Sequence, residues 1–387
     1  MTIAIILVFV FGALLALHYV LYPVLVILLA RLAPSPTQSL APGQRPPFWP
    51  SVTLIVAAYN ESKVIAKKIE NSLALDYPKD RLEIIVVSDG SNDETPEIVR
   101  SYADRGVISM HEAARGGKSA ALNRAVAAAS GEILLFSDAN NDYNADAVRA
   151  IARHFFDPKV GGVCGVKRIY PAEGRESTQG DSLYWRMESA IKLAESQFST
   201  ITNADGEMFA LRRALYEPIP PSVINDDAEL TFSIIKQGYR ILYEPAAQSH
   251  ELASIDIVDD FFVKVRMVAG GYQTISRHTG FLLPPRNWFT FSFFAHKILR
   301  WLSPVLLIGV FFATLAALPN PWMLAFLTAQ LACYALAGLG WLLRKHGELP
   351  TVLYVPFYFC AMNLAALMGL VRFLRGQQQV QWRKAKR

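Results

Sequence analysis

Residues 51–61 read SVTLIVAAYNE, a short apolar run rich in Val and Ile that ends in polar residues. The same design recurs in three later runs: LEIIVVSDG (82–90), GVISMHE (106–112) and EILLFSDAN (132–140). Helical patterns separate the runs and begin near Ser62, Asp93 and Lys118. Short buried strands that alternate with helices indicate βαβ units and a parallel sheet. The sequence therefore predicts an α/β domain.

Three long stretches outside this domain carry no Asp, Glu, Lys or Arg: residues 2–30, 301–343 and 349–371. A helix needs about 20 residues to cross a hydrocarbon core of roughly 30 Å. The first and third stretches are long enough for one span each, and the second suffices for two spans turned at LPNPW (318–322). Residues 2–30 lack the basic start and the cleavage site of a signal peptide, so we expect a retained helix.

The composition of the chain agrees with a soluble domain attached to membrane helices. Of the 387 residues, 52% are hydrophobic and only 18% are charged, whereas soluble domains carry about 25% charged residues. These values exclude a disordered chain, a disulfide-stapled miniprotein and a simple cytosolic enzyme. The net charge of +5 comes from the tail, which from Arg372 onwards has six Lys or Arg and no acid. We therefore expect no nucleic-acid partner, because that would need basic and aromatic residues on a soluble face.

We divide the chain into six segments on this basis. They are an N-terminal transmembrane helix (1–32), a Pro-rich linker (33–50), the α/β domain (51–280), an interfacial amphipathic segment (281–297), a C-terminal transmembrane region (298–371) and a basic tail (372–387).

Polar side chains follow three strands of the predicted sheet. Tyr59-Asn60-Glu61 follows the first strand, Asp89 follows the second, and Asp138-Ala139-Asn140 follows the fourth. Each group alone is also ordinary turn chemistry. Ligands of open α/β sheets bind beyond the carboxyl ends of the strands. Three such groups on one sheet therefore predict a site.

Within SDGSNDET (88–95), several residues have a structural explanation. Ser91 and Glu94 have the spacing of a capping box, and Asp93 suits the dipole of the first helical turn. The functional candidate in this segment is therefore Asp89.

Two helix starts carry charge. In GGKSAALN (116–123), the glycines and Lys118 can serve an anion, but a plain loop-to-helix junction explains them equally well. In NDDAEL (225–230), the helix dipole favours acids whatever their function. Closely spaced carboxylates such as Asp226 and Asp227 also raise each other's pKa, which suits a general base. Capping alone needs only one acid, so we favour a functional role.

Seven motifs follow one another along the chain: AAYNE (57–61), SDGSNDET (88–95), GKSAALN (117–123), FSDAN (136–140), NADGEMFALRR (203–213), NDDAEL (225–230) and RMVAGGYQ (266–273). In these motifs and their order, the chain resembles the membrane-bound branch of glycosyltransferase family 2, which includes cellulose, chitin, hyaluronan and poly-N-acetylglucosamine synthases. The resemblance extends from residue 57 to the terminal WRKAKR. The resemblance implies a GT-A fold, which is a Rossmann-like mixed sheet. It also implies inverting transfer of a sugar from a nucleotide-sugar donor, for which we expect a UDP-sugar.

The resemblance also implies ligands for the donor. The nucleotide-binding residues that it implies are Tyr59, Glu61, Asp89 and Lys118. Asp138 and Asn140 occupy the Asp-X-Asp position that holds Mg²⁺ or Mn²⁺ against the diphosphate.

The remaining implied roles concern the transferred sugar. Gly206 lies where the family needs a close approach of the backbone to the sugar. Asp227 matches the catalytic base and has Asp226 beside it. Arg266 adds cationic stabilisation to the leaving group.

Two departures from the family pattern affect the expected activity. Asn140 replaces an Asp, so the metal site loses one anionic ligand. The Gln-X-X-Arg-Trp motif of processive members reads Val263 and Met267 at its Gln and Trp positions, and only Arg266 is retained. Loss of the sugar-stacking Trp favours transfer of one or a few sugars, or a different acceptor.

The expected partners are a nucleotide-sugar donor, a glycan or lipid acceptor, membrane lipids and partners in polysaccharide assembly. The alternative is a catalytically degenerate subunit that binds nucleotide sugar and scaffolds such an assembly.

The expected location is the plasma or inner membrane with a cytoplasmic catalytic domain, because nucleotide sugars are cytosolic. Basic residues at 344–345 and in the tail also favour the cytosol, which requires an even number of crossings after the domain. Three arrangements are open. Residues 349–371 do not fully cross the membrane, which we favour, or residues 281–297 also insert into it. Alternatively, the basic tail is an exception to the tendency of basic segments to lie in the cytosol.

Overall fold

The computed structural model describes residues 1–33, 38–44, 46–170, 179–252, 257–344 and 349–377. The strands are β1 (Val52–Ala58), β2 (Leu82–Asp89), β3 (Val107–Glu112), β4 (Ile133–Asp138), β5 (Asp142–Tyr143), β6 (Val160–Tyr170), β7 (Phe209–Arg212) and β8 (Arg240–Leu252). The helices up to the end of the sheet are α1 (Thr2–Ala16), α2 (Tyr22–Leu32), α3 (Ile65–Leu73), α4 (Thr95–Arg100), α5 (Lys118–Ala128), α6 (Ala147–Ala152), α7 (Gln179–Phe198) and α8 (Asp226–Lys236). The later helices are α9 (Ile257–Leu282), α10 (Trp288–Phe293), α11 (Leu299–Ala316), α12 (Pro321–Leu343) and α13 (Thr351–Leu374).

The eight strands form one mixed sheet in the order β3-β2-β1-β4-β7-β6-β8-β5. The predicted parallel half is confirmed, because β1 pairs in parallel with β2 and β4, and β2 with β3. Strand β7 runs antiparallel to both of its neighbours, which makes the sheet mixed. The centre of β1 is fully buried on both faces of the sheet, as expected of a strand covered by helices on both sides.

The helix that follows β2 begins later than the sequence suggests. Helix α4 starts at Thr95, and its first amide is capped by Asp93 Oδ1 at 3.0 Å. The Ser91 hydroxyl instead accepts the amide of Asn60 at 3.0 Å. The predicted capping box of Ser91 and Glu94 is therefore wrong, whereas the structural role of Asp93 is supported.

The described part of the Pro-rich linker lies against the α/β domain. The amide of Gln38 donates to Asp157 Oδ2 at 2.9 Å, and Arg153 Nη1 donates to the Leu40 carbonyl at 2.9 Å. The ring of Trp49 packs 5.7 Å from that of Tyr77. Residues 34–37 and 45 of this segment lie outside the described residues.

Among the described residues, four helical segments are long and apolar enough to cross a membrane: Thr2–Leu32, Trp288–Ala316, Pro321–Leu343 and Thr351–Leu374. The expected interfacial segment 281–297 thus includes the start of the second of these, which runs on through a π-helical turn, Phe294–Ile298. The expected basic tail is described only as far as residue 377, and residues 345–348 also lie outside the described residues.

The membrane-type helices are joined to the α/β domain by polar contacts. The Tyr22 hydroxyl donates to Glu195 Oε1 of α7 at 2.6 Å. On the same helix of the domain, Glu188 Oε1 accepts Lys297 Nζ at 2.5 Å. Because these partners are buried, the first and second apolar segments are fixed to one helix of the domain.

Candidate active site

Lys118 occupies the centre of the sheet edge where the predicted residues meet. It is the first residue of α5, and the loop reaches it through Gly117, whose φ of 90° favours glycine. Lys118 Nζ lies 2.8 Å from Asp138 Oδ1 and 3.6 Å from Asp226 Oδ2. Burial lowers the pKa of Lys118, but the two carboxylates outweigh burial and raise it. The ammonium group therefore stays charged between the end of β4 and the start of α8.

Gly206 lies against the same group of side chains. A methyl group in place of its hydrogen would lie 3.4 Å from Asp227 Cβ, 3.8 Å from Lys118 Nζ and 3.9 Å from Asp226 Oδ2. The absence of a side chain therefore keeps open the space in front of the two aspartates.

Asp227 is prepared to accept a proton near neutral pH. It lies in the first turn of α8, and its Oδ1 accepts the amide of Ala228 at 2.7 Å. The pKa of Asp227 is raised to about 7. The main cause is the loss of solvation on burial, and the second is repulsion from the Asp226 carboxylate. A carboxylate with this pKa suits a general base, because it is both available and basic at physiological pH.

The nucleotide-binding candidates line the neighbouring strand ends. Asp89 Oδ2 accepts the amide of Gly117 at 2.6 Å, and Asp89 Oδ1 accepts Arg124 Nη2 at 2.8 Å. The Arg115 guanidinium stacks 3.7 Å above the Tyr59 ring. Asp89 and Tyr59 therefore flank the loop that precedes Lys118.

Glu61, the third nucleotide-binding candidate at these strand ends, lies deeper in the protein. Its side chain is buried, and its amide donates to Thr95 Oγ1 at 2.8 Å. This contact joins the end of β1 to the start of α4.

Asn140 follows β4 and faces β8. Its Nδ2 donates to Glu251 Oε1 at 2.9 Å. Among the described residues, no three His, Cys, Asp or Glu side chains form a ready metal cage. Mg²⁺ and Mn²⁺ at diphosphates usually take one or two protein oxygens and complete their shell with phosphate and water. The oxygens of Asp138 and Asn140 fit that kind of site.

Arg266 lies on α9, which packs across the start of α8. Its Nη1 lies 3.4 Å from the Ile224 carbonyl, and Asn225 Nδ2 donates to the Met267 carbonyl at 3.0 Å. Arg266 thus stands beside the segment that leads into Asp226.

Several charged residues of the site were not predicted from the sequence. Lys192 Nζ donates to Asp205 Oδ2 at 2.6 Å, and Lys167 Nζ contacts both Glu207 and Glu251. Asp205 and Glu207 flank Gly206 in the NADGEMFALRR motif, so the motif itself pointed to them. The two lysines have no comparable local signal, because one lies inside a helix and the other inside a strand.

Comparison with known proteins gives a consistent result. Residues 53–219 match the family model for glycosyl transferase family 2. The chain is 28% identical over 320 residues to beta-monoglucosyldiacylglycerol synthase of Synechocystis sp., covering 78% of this chain and 66% of the relative. It is 27% identical over 233 residues to poly-beta-1,6-N-acetyl-D-glucosamine synthase of Staphylococcus aureus, covering 58% of this chain and 56% of the relative. The chain thus spans less than two thirds of the length of each.

One solved structure resembles the chain over almost its whole length. It is the mannosyltransferase PcManGT from Pyrobaculum calidifontis in complex with GDP-Man and Mn²⁺. The TM-score is 0.74 at 25% sequence identity, and the match covers 96% of this chain and 99% of the other. The similarity therefore includes the apolar helices as well as the sheet.

Proposed function

Residues 53–219 form a glycosyltransferase family 2 domain with the GT-A fold, and on this premise we propose that the protein is an inverting glycosyltransferase of the membrane. It moves a sugar from a nucleotide-sugar donor, for which we favour a UDP-sugar, to a glycan or lipid acceptor. The product belongs to cell-surface or exopolysaccharide synthesis. The observation that carries this proposal is the convergence of Lys118, Asp226 and Asp227 in front of Gly206.

The chemistry assigned to these residues is a displacement at the anomeric carbon. Asp227 removes the proton of the acceptor hydroxyl as that oxygen forms the new bond to the anomeric carbon. The bond from this carbon to the diphosphate oxygen breaks, and its electrons leave with the nucleoside diphosphate. Lys118 and Arg266 stabilise the negative charge that develops on the leaving group.

The donor is held along the carboxyl ends of β1, β2 and β4. Tyr59, Glu61 and Asp89 are assigned to the nucleotide, and the space in front of Gly206 to the transferred sugar. Asp138 and Asn140 are the residues that would hold Mg²⁺ or Mn²⁺, and the cation would neutralise charge on the departing diphosphate. PcManGT, which resembles the chain over 96% of its length, is described in complex with GDP-Man and Mn²⁺, and this supports a divalent cation here.

We assign transfer of one or a few sugars rather than processive synthesis. Met267, next to Arg266 on α9, is 41% exposed. Its thioether is flexible and offers no flat face for a sugar ring.

The experiment that tests the function is release of nucleoside diphosphate by the purified full chain in lipid nanodiscs. A panel of UDP- and GDP-sugars is offered with Mg²⁺ or Mn²⁺, and the membrane extract supplies the acceptor. We expect release with one donor class and a heavier glycan or glycolipid by mass analysis. Tight donor binding without any release would instead support the degenerate scaffolding subunit.

The proposal also includes the arrangement in the membrane, with the domain in the cytoplasm. The last turns of α13 pack on α9, where the Phe373 ring lies 5.9 Å from that of Tyr272. Helix α9 belongs to the domain and contacts the segment before α8, because Gln273 Nε2 donates to the Ser222 carbonyl at 2.8 Å. These contacts support a tail on the same side as the domain, with α13 not fully crossing.

Reporter fusions test this arrangement in cells. Green fluorescent protein fused after residue 387 should fluoresce, and alkaline phosphatase at the same point should be inactive. Active phosphatase there would contradict the assignment.

A further inference from the structure

The orientation of Asn140 is determined by a residue more than a hundred positions away. An amide side chain has a donor end and an acceptor end. The donor end of Asn140 is bonded to Glu251 Oε1 at 2.9 Å. Its carbonyl oxygen must then point away from Glu251, and this oxygen is the only atom of the side chain that can ligate a hard cation.

Glu251 is itself held in place. It is only 7% exposed, and its second oxygen contacts Lys167 Nζ. Lys167 also donates to Glu207 Oε2 at 2.8 Å. Each carboxylate oxygen of Glu251 therefore has a definite partner, which is Asn140 for Oε1 and Lys167 for Oε2.

We propose that Glu251 is a positioning residue for the divalent cation, which orients the Asn140 amide and supplies the negative charge that Asn140 lacks at the Asp-X-Asp position. This inference rests on the proposed function. Residues that hydrogen-bond to metal ligands act in this way, and their loss typically lowers metal affinity by about 10- to 100-fold.

The inference can be tested by exchanging the donor and the acceptor of the hydrogen bond between residues 140 and 251. In Asn140→Asp, two carboxylates face each other and repel. In the double variant N140D/E251Q, the glutamine amide donates to the new aspartate, so that the hydrogen bond and the total charge are both restored. E251Q should therefore weaken cation binding in the wild-type background and should not weaken it in the N140D background.

The measurement is Mn²⁺ binding by electron paramagnetic resonance, on the full chain in nanodiscs with UDP or GDP present. We expect E251Q to bind Mn²⁺ about 10-fold more weakly, and N140D/E251Q to bind within about 3-fold of wild type. The matched control is Glu244→Gln, which removes an equally buried, ion-paired glutamate from the same strand, β8, and should leave Mn²⁺ binding unchanged.

The possible results separate this inference from the proposed function. Wild-type affinity in E251Q, or a double variant weaker than E251Q, overturns the inference even when wild-type protein releases nucleoside diphosphate. Failure of the wild-type protein to bind Mn²⁺ with either nucleotide overturns the metal part of the proposed function as well. Thermal unfolding of each variant identifies misfolding. If E251Q alone does not fold, the comparison of N140D with N140D/E251Q still tests the inference. The inference requires that E251Q does not weaken Mn²⁺ binding in the N140D background.

Discussion

Two clusters in the site share one plan, in which a lysine lies between two carboxylates. In the Lys118 cluster (Lys118, Asp138, Asp226 and Asp227), the lysine joins the end of β4 to the start of α8. In the Lys167 cluster (Lys167, Glu207, Glu251 and Asn140), the lysine joins the segment after Gly206 to the end of β8.

The clusters differ in what surrounds the carboxylates. The side chains of Asp138 and Asp226 are 36% and 18% exposed, and Gly206 leaves open space beside them. Those of Glu207 and Glu251 are 9% and 6% exposed. The first cluster can therefore meet a substrate, whereas the two carboxylates of the second are enclosed by protein. We infer that the first is built to react and the second to position.

The largest expected effect comes from the proposed base of the Lys118 cluster. Asp227→Asn keeps the size of the side chain but cannot take the acceptor proton, so we expect kcat to fall by about 10²- to 10⁴-fold. Donor affinity should change little, because the base acts on the acceptor. Nucleoside diphosphate release and equilibrium donor binding measure the two quantities.

The control for this change is Asp157→Asn, an aspartate that contacts the linker segment instead of the site. It should leave kcat within about 2-fold of wild type. A large loss of donor binding in D227N would show that Asp227 contacts the donor, and would remove it from the role of base.

The next effect separates the clusters by stability. Lys167→Met leaves Glu207 and Glu251 buried without their cation, and breaking such a buried pair costs about 3–5 kcal/mol. Lys118→Met leaves carboxylates that water can reach, so the cost should be about 1 kcal/mol, although the affinity for the donor should fall. Thermal unfolding in the absence of ligand measures the loss of stability in each variant. Equal losses in K167M and K118M would show that the difference in burial between the clusters does not affect stability.

A glycine in the site and one in the scaffold should also respond differently. Gly206→Ala adds a methyl group at ordinary contact distances of 3.4 Å or more, so the melting temperature should hardly change. The space assigned to the sugar is lost, however, and kcat/KM should fall by at least about 10-fold. Gly131→Ala places its methyl group 2.5 Å from the Thr53 amide nitrogen and should destabilise the domain by about 1–3 kcal/mol. A normal rate in G206A would place the sugar elsewhere.

The two clusters also show how far the sequence can predict this site. Lys118, Asp138 and Asp227 stand at a strand end or a helix start. Local sequence fixes such positions, and the sheet then brings them together. The alternation of strands and helices likewise predicted the parallel half of the sheet. The antiparallel strand β7 was not predicted, because its four residues give no periodic signal of their own.

The Lys167 cluster depends on pairing between distant strands. Lys167 and Glu251 are in β6 and β8, and their contact depends on a register that includes a bulge between Gly165 and Val166. A shift of one residue would turn either side chain to the other face of the sheet. Sequence patterns do not determine this register, so the partner of Asn140 could be found only in the structure.

The smallest expected effects concern the pH dependence of the Lys118 cluster. Loss of solvation and repulsion from Asp226 raise the pKa of Asp227 to about 7, while Lys118 lowers it. The base works only when deprotonated, so kcat/KM should fall as the pH drops below about 7; this fall is the acid limb of the pH profile.

Asp226→Asn removes the repulsion and should move this acid limb to lower pH. Lys118→Met removes the attraction and should move it to higher pH. Lys167→Met, in the other cluster, should leave the limb where it is in protein that remains folded. Shifts of opposite sign from D226N and K118M require one titrating carboxylate between the two groups, so a shift of the same sign in both variants would show that another group controls the limb.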